Sequence, residues 1–274
     1  MIFRRTLKLV IIAFLVLAGG SVLAMTLRVP SHDRDWKTEH ARLPNATLDG
    51  DRVTIEGLRD FSYGPDGTPS ELRYRDATYR FSEIESLWYG ISHFGPLGLA
   101  HTFVSFGFTD GRYLAISIEA RQTVRQNYNP LLGLFGAYEL IMVAGSERDI
   151  IGLRSHLRRE RVYLYRIDVP KASIERVLRE LVGRMAEIYA APEFYHTVTD
   201  NCAVAIWRYS ERLSAFQRYT NPKLLLPGYS DEVALGLGLI AGEGPMESLR
   251  RAARVDPGEA ELDDPDFSAK IRRP

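Results

Sequence analysis

The sequence contains one cysteine, Cys202, among 274 residues, and its charges cancel, with 35 lysine and arginine residues against 35 aspartate and glutamate residues. A single thiol excludes a disulfide framework within the chain. The absence of net charge argues against a nucleic-acid partner, because phosphate backbones are bound by basic surfaces. No HExxH-type spacing, cysteine cluster or lysine-containing phosphate loop occurs, so we predict neither a metal centre nor a cofactor.

The N-terminus has the pattern of an exported protein. Arg4, Arg5 and Lys8 precede an apolar or small run over residues 9–25. This run fits a signal peptide cut after Ala24, and at about 17 residues it also fits a short membrane anchor, so both alternatives stay open. Because the basic end stays inside in either case, we expect a periplasmic or otherwise extracytoplasmic domain, attached to the inner membrane if the N-terminal helix is retained.

The chain divides into a leader at residues 1–25, a polar and turn-rich lead-in at 26–50, and one domain at 51–274. Alternating apolar residues in DRVTIEGLRDFSY and ERVYLYRIDV predict strands. SIERVLRELVGRMAEIYA has helical periodicity, with Ser173 as the predicted N-cap. Strands followed by helices, without alternation, predict an α+β fold with an antiparallel sheet packed against helices. The chain after Leu213 is predicted to be a loop-rich wrap.

Cys202 lies at the start of a predicted helix, in the stretch FYHTVTDNCAVAIWRYS. Asp200 or Thr199 is expected to cap a helix running CAVAIWRYSERL. In a first helical turn, free backbone N–H groups and the helix dipole stabilise a thiolate and lower its pKa. Catalysis also needs a base. Position alone leaves two alternatives open, a nucleophile or a buried and inert core residue.

The register of a β-hairpin selects His101 from six histidines. HTFVSFGF and RYLAISIEAR are joined by Thr109-Asp110-Gly111, a three-residue loop with glycine at its left-handed position. The resulting register makes one face apolar and places His101 opposite Glu119. Cross-strand partners have Cβ atoms about 5 Å apart, close enough for a carboxylate to orient an imidazole. A structural ion pair of Glu119 with Arg121, or with another arginine, is the alternative.

The remaining histidines have weaker signals. His32 and His40 fall in the polar lead-in, where we expect solvated side chains. His156 falls in the charged run RSHLRRER, where we expect a surface position. The positions of His93 and His196 indicate neither a structural nor a catalytic role.

Blocks of this chain, from about residue 50 to its end, resemble the Lnb N-terminal periplasmic domain family. They are RDFSY, AHTFVSFGF, YLAISIEAR, YEL, SERD, FYHTVTDNC, LLPGY and FSAKIR. The resemblance implies a circularly permuted papain-like fold, in which the histidine strand precedes the cysteine helix. It places the nucleophile on Cys202 and the base on His101. Glu119 matches a recurrent block, and its role as the orienting carboxylate follows from the hairpin register. His196 departs from the family, which often has asparagine there.

The founding member of this family is a lipoprotein N-acyltransferase of bacterial envelopes, so the resemblance implies thiol acyl transfer with a lipid or lipoprotein substrate. The helix start would hold the oxyanion, with Asn201 and Tyr195 as candidate helpers and Arg121 and His196 as further candidates for that site or its support. Lipid-transferring members carry further membrane helices that this sequence lacks, which leaves the acyl substrate open.

Two other functions remain open at this point. One is a periplasmic cysteine amidase, peptidase or esterase, and the other is a non-catalytic envelope binding module in which Cys202 is merely buried. An acyl substrate would need an apolar groove, for which residues 94–99 and 129–138 are candidates, although ordinary core packing explains these segments as well.

Overall fold

The computed structural model describes residues 27–272. The predicted signal peptide or anchor at residues 1–25 lies outside the described residues. Within residues 27–272, no helix combines the length and the apolar composition that crossing a bilayer requires. The described chain is α+β, as its sequence pattern predicts, with a large sheet covered by helices.

An eight-stranded sheet organises the domain, in the order β1-β2-β9-β8-β7-β6-β10, and β5 also pairs with β2. Strands β3 and β4 form a separate two-stranded sheet. The predicted strands within DRVTIEGLRDFSY and ERVYLYRIDV are confirmed as β2 and β10. The strands are β1 (Asn45–Asp49), β2 (Arg52–Arg59), β3 (Ser62–Tyr63), β4 (Pro69–Glu71), β5 (Tyr74–Arg80), β6 (Ile84–His93), β7 (Ala100–Phe108), β8 (Tyr113–Arg121), β9 (Glu139–Gly145) and β10 (Arg161–Arg166).

The sheet is mixed, so the expectation of a purely antiparallel sheet was wrong. Strands β2 and β9 are parallel where Arg59 pairs with Gly145, and the Ser146 amide donates to the Arg59 carbonyl oxygen at 3.0 Å. A Cβ at position 145 would lie 3.0 Å from that oxygen, so glycine permits the approach. A contact between such distant segments leaves no trace in local alternation, which reports only on each strand by itself.

Helices follow and interrupt the strands. They are α1 (Pro130–Gly133), α2 (Arg148–Leu157), α3 (Lys171–Ala190), α4 (Cys202–Trp207), α5 (Ala215–Thr220), α6 (Pro222–Leu225), α7 (Ser230–Gly236), α8 (Met246–Ala253) and α9 (Phe267–Lys270). Hydrogen bonds of the π type hold α2. Between Leu213 and residue 272, a region predicted to be mainly loop, the structure therefore has five short helices, α5 to α9. Short turns of 3₁₀ helix occur at Thr38–His40, Phe81–Glu83 and Pro227–Tyr229.

The predicted long helix is confirmed as α3, but its N-cap is Pro170 rather than Ser173. The Pro170 carbonyl accepts from the amides of Ser173 and Ile174, so the helix begins three residues earlier than predicted. Helix α3 packs against β1, β6 and β9, while α4 packs against β7 and β8. Each aliphatic side chain buried there contributes roughly 1.5–3 kcal/mol. The apolar residues that α3 buries are Ile174, Leu178, Leu181, Val182, Met185 and Ile188.

Candidate active site

The hairpin of β7 and β8 has the predicted register. Phe103 lies opposite Ser117 and Gly107 opposite Tyr113, and the φ angle of 80° at Gly111 suits the third position of the loop. The paired ladder ends at Phe103 and Ser117, and His101 and Glu119 lie two residues beyond this last pair on the same face of the hairpin.

A serine hydroxyl bridges the histidine and the carboxylate. Ser117 Oγ lies 2.6 Å from His101 Nε2 and donates to Glu119 Oε1 at 2.6 Å. The direct distance from His101 Nε2 to Glu119 Oε1 is 3.5 Å. Because the hydroxyl gives its proton to the carboxylate, it accepts the hydrogen bond of the Nε2–H group. In the neutral ring Nδ1 is then unprotonated, and it is the nitrogen available to a thiol.

Cys202 is the first residue of α4, as predicted, but the helix is capped by Asn201 and not by Asp200 or Thr199. Asn201 Oδ1 accepts from the Val204 amide at 2.8 Å, which satisfies one of the free N–H groups of the first turn. The amide group of the same side chain donates to a loop carbonyl at 2.9 Å. Asn201 therefore fixes the start of the helix and, through it, the position of the sulfur.

The thiol of Cys202 and the imidazole of His101 face each other and change each other's ionisation. Burial raises the pKa of Cys202, but the charge of His101 and its hydrogen bond lower it below the ordinary value. Burial would lower the pKa of His101, but the charge of Cys202, its hydrogen bond and the contact with Glu119 raise it to about 9. These two directions are those of a thiolate–imidazolium pair.

Glu119 is ionised by its neighbours. Burial would raise the pKa of this carboxyl, but hydrogen bonds from His101 and His40 and the charge of Arg154 hold it well below its usual range. His40 Nε2 lies 3.2 Å from Glu119 Oε2, and Arg154 Nη2 donates to Oε1 at 3.1 Å. The carboxylate thus joins the hairpin, the lead-in and α2 around the imidazole.

The expectation that His40 is solvated was wrong, because the lead-in packs on the sheet. His40 is buried, and its Nδ1 accepts from the Gln122 amide at 3.0 Å, which leaves the ring proton on Nε2 facing Glu119. Arg121 Nε donates to the His40 carbonyl at 2.9 Å, and its guanidinium lies over the Trp36 ring at 4.0 Å. Arg121 therefore secures the lead-in beside the site.

A cavity of about 630 Å³ opens beside the cysteine. Tyr195 is buried in its wall, with its hydroxyl 3.1 Å from that of Tyr128. Burial, the neighbouring phenol and the charge of Cys202 raise the pKa of Tyr195, so it is a neutral hydroxyl at physiological pH. The side chains that line the cavity include Phe94, Leu99, His101, Glu119, Gln122, Tyr128, Arg154, Arg158, Glu160, Tyr195, Asn201, Cys202, Leu225 and Leu226.

Two further histidines have structural contacts. His196 Nδ1 accepts from the amides of Val198 and Thr199, each at 3.3 Å, and so shapes the turn that leads to α4. His156 was expected at the surface, but it is half-buried because its Nε2 lies 2.8 Å from the Ala260 carbonyl oxygen. Within residues 27–272, no group of three or more His, Cys, Asp or Glu side chains is arranged to hold a metal ion.

Sequence reasoning missed the contributions of three side chains at this site. Ser117 lies on the hairpin face that also carries His101, so the register indicated its position but not its bridging role. His40 and Arg154 come from a polar lead-in and from a charged run, and neither segment has a periodicity that points to the sheet. They reach Glu119 only through tertiary packing.

Comparison with known proteins places the chain in a family. No curated protein and no solved structure matches it. A family model described as the Lnb N-terminal periplasmic domain matches residues 71–228, more than half of the 274 residues. The match spans the blocks around His101 and Cys202, but not RDFSY, FSAKIR or His40. It supports an extracytoplasmic envelope protein, and the chain belongs to the Lnb N-terminal periplasmic domain family.

Proposed function

We propose that this protein is an envelope thiol acyltransferase in which Cys202 is the nucleophile and His101 the general base. The observation that supports this assignment is that the two side chains face each other at the wall of one cavity. Ser117 and Glu119 orient the ring. The chain order, with the histidine strand before the cysteine helix, fits a circularly permuted papain-like arrangement, which we propose as the finer description of the fold.

The first half-reaction forms a thioester. The Cys202 thiolate attacks the carbonyl carbon of an ester, and the carbonyl electron pair moves to oxygen as the C–S bond forms. When the oxyanion collapses, the C–O bond breaks and the leaving alkoxide takes the proton from the His101 imidazolium. The products are an alcohol and an acyl group bound to the sulfur.

The second half-reaction passes the acyl group to an amine. The amine nitrogen attacks the thioester carbonyl and gives its proton to His101, and the C–S bond breaks to restore the thiolate–imidazolium pair. The acceptor decides the outcome, because water in place of the amine makes the same site a hydrolase. A lipoprotein amino group is the acceptor that the family relationship favours.

The oxyanion needs donors that are fixed before the reaction. Asn201 occupies the Val204 amide and accepts the Ala205 amide at 2.9 Å through its carbonyl. The other two amides of the first turn are those of Cys202 and Ala203, and we propose the Cys202 amide as the backbone donor. The neutral hydroxyl of Tyr195, in the wall of the same cavity, is the second donor.

The sole cysteine makes a direct test simple. The full chain is incubated with an activated short-chain ester, and the intact mass is measured before and after neutral hydroxylamine. We expect one acyl group on the wild type, removed by hydroxylamine, and none on Cys202→Ala. Adding an amine or only water then separates a transferase from an amidase or esterase by the product. A folded wild type that never gains the acyl mass would refute the proposed function.

A further inference from the structure

Large apolar side chains surround the mouth of the cavity and remain in contact with solvent. They come from residues 94–99, 131–135 and 225–226, segments that core packing would have buried. Leu97 is 82% exposed and Leu131 is 67% exposed. We name this set the apolar collar, and its members are Phe94, Leu97, Leu99, Leu131, Leu132, Leu134, Phe135, Leu225 and Leu226.

The three segments form one rim. The Gly228 amide donates to the Gly98 carbonyl at 3.0 Å, which joins the segment after Leu226 to residues 94–99. Thr197 Oγ1 donates to the Pro130 carbonyl at 2.7 Å, and Asn201 links the Thr197 and Leu224 carbonyls. These bonds hold the three segments next to one another at the cavity, and clustered exposed apolar side chains mark interaction sites.

Backbone strain also marks the collar. Leu97 has a φ angle of 55°, a conformation that costs a branched side chain energy. Its side chain is almost wholly exposed, so no core contact within the domain offsets that cost. A partner outside the domain that buries the Leu97 side chain would offset the cost of this backbone conformation.

The segments that form the collar carry basic but no acidic residues, although Glu119 and Glu160 lie in the adjoining cavity wall. Residues 94–99, 122–138 and 221–229 contain no aspartate or glutamate, although the whole chain carries equal numbers of acidic and basic residues. The basic side chains there are the exposed Arg125 and Lys223, the latter paired with Glu232. The exposed Arg158 lies in the cavity wall. An apolar rim with basic side chains suits an anionic lipid surface.

The chain also leads from the collar to its apolar N-terminal run. Arg28 Nη1 donates to the Gly136 and Ala137 carbonyls at 3.3 Å each, directly after Phe135 of the collar. Leu27 and Val29 on either side are exposed. Residues 27–29, the first ones that the structure describes after the apolar run of the sequence, therefore lie beside the collar.

We propose that the apolar collar docks the domain onto an anionic bilayer surface, with the mouth of the Cys202 cavity against the lipid. An acyl chain then enters the cavity from the bilayer without crossing water. Docking itself needs only the collar, whereas the passage of an acyl donor rests on the proposed function.

The test places a polarity-sensitive fluorophore on single new cysteines in the full chain carrying Cys202→Ala. Leu131→Cys and Phe94→Cys report on the collar. Leu48→Cys and Leu72→Cys, which replace exposed leucines in β1 and just after β4, are the matched controls. Each protein is mixed with phosphatidylcholine vesicles, with or without phosphatidylglycerol, that contain a quencher in the acyl-chain region. An N-terminal anchor brings all four probes to the vesicle, but only docking inserts the collar.

We expect a blue shift and several-fold stronger quenching at positions 131 and 94 than at 48 and 72, increased by phosphatidylglycerol. Equal quenching at all four positions would overturn the proposal. A blue shift that needs no vesicles and grows with protein concentration would also overturn it, by assigning the collar to a second copy of the chain. Insertion of the collar probes only into vesicles that lack phosphatidylglycerol would refute the proposal that the bilayer surface is anionic.

A second measurement keeps docking separate from catalysis. With Cys202 intact, Leu131→Asp should lower acyl transfer from a vesicle-borne donor about tenfold or more, because a leucine burial is worth at least that factor. Thioester formation from a water-soluble ester should be unchanged, since Leu131 does not line the cavity. A wild type without activity on the soluble ester refutes the proposed function, while the fluorescence result still decides the docking.

Discussion

Two carboxylates of this domain are surrounded by hydrogen-bond donors, yet they serve different ends. Asp149 is fully buried and accepts two bonds from Arg59, both at 2.9 Å. It also accepts from the Phe61 amide at 2.9 Å and from the Tyr63 hydroxyl at 2.6 Å. Burial, the nearby Asp149 and its hydrogen bond raise the pKa of Tyr63 despite the charge of Arg59, so none of these donors gives up its proton near neutral pH.

Glu119 has two imidazoles among its neighbours. One is His40 and the other is His101, reached through Ser117. The pKa of His101 is about 9, so this partner can lose its proton at moderately alkaline pH, and Glu119 also lies in the wall of the cavity that holds Cys202. The comparison teaches that the partners of a buried carboxylate, more than its burial, separate a structural ion pair from a group suited to catalysis.

The largest expected effect on the reactive side of this comparison comes from His101→Ala. Without the base, the Cys202 thiol loses both its proton acceptor and the charge that lowers its pKa, so thioester formation should fall by about 10²- to 10⁴-fold. The rate is measured with the soluble ester. His156→Ala, which removes a histidine remote from the cavity, is the control. A rate within a factor of a few of the wild type would remove His101 from the mechanism.

The largest effect on the structural side should come from Asp149→Asn. Arg59 would then be buried without its carboxylate partner, and breaking a buried ion pair in this way costs about 3–5 kcal/mol of unfolding free energy. Urea denaturation measures this loss. Asp110→Asn, at an exposed pair with Arg112, should cost only about 0–1 kcal/mol. A cost for Asp149→Asn as small as that would show that the first pair is not structural.

A pH profile should separate the two carboxylates. Acyl transfer needs thiolate and imidazolium together, so its rate should rise through the lowered pKa of Cys202 and fall as His101 loses its proton at about 9. Alkylation of the thiol needs only the thiolate and should not fall above that pH. Glu119→Gln should move the alkaline limb of the profile to lower pH, because the carboxylate helps to raise the pKa of His101. Asp149→Asn should leave the alkaline limb at the same pH.

The same shift affects stability with a defined sign. The pKa of His101 is higher in the folded protein than its ordinary value of 6.5. Its contribution to the unfolding free energy is therefore complete below that value and is lost as the pH rises through about 9. Unfolding of His101→Ala should lack this alkaline loss. If His101→Ala lost as much unfolding free energy at alkaline pH as the wild type, the loss would belong to another titrating group.

The smallest expected effect is that of His40→Phe. Removing one hydrogen-bond donor from Glu119 should lower the transfer rate about twofold to tenfold. It should also move the alkaline limb of the pH profile to higher pH, because a carboxylate with fewer hydrogen-bond donors attracts the His101 proton more strongly. A donor in the same place, as in His40→Gln, should restore the limb. His40 would have a purely structural role if the alkaline limb of the pH profile moved in step with the loss of unfolding free energy and His40→Gln did not restore it.

The sequence predicted the hairpin register and the helix start at Cys202 better than the other contacts of Glu119. A three-residue loop with Gly111 at its third position fixes the register, and the register places His101, Ser117 and Glu119 together. The cysteine at a helix start follows from equally local rules. His40 and Arg154 depend on where the lead-in and α2 pack, and no alternation or helical spacing within those segments encodes that packing.

The length of α4 shows the same limit. Helical periodicity predicted a helix through Leu213, but α4 ends at Trp207. Arg208 Nη2 donates to Asp200 Oδ1 at 2.7 Å, and Arg176 Nη1 donates to the Tyr209 carbonyl at 3.3 Å. These contacts with the turn before α4 and with α3 take the place of further helical turns, and propensity is a weak guide where tertiary contacts compete.

A single cysteine with a lowered pKa makes the protein sensitive to oxidative stress at Cys202. Ionised, cavity-lining sulfur is the form that peroxide converts to sulfenic acid. With no second cysteine in the chain, an oxidised Cys202 has no internal partner with which to form a protective disulfide. Recovery then depends on a small thiol or a reductase from outside, which reaches the sulfur through the cavity that Cys202 lines.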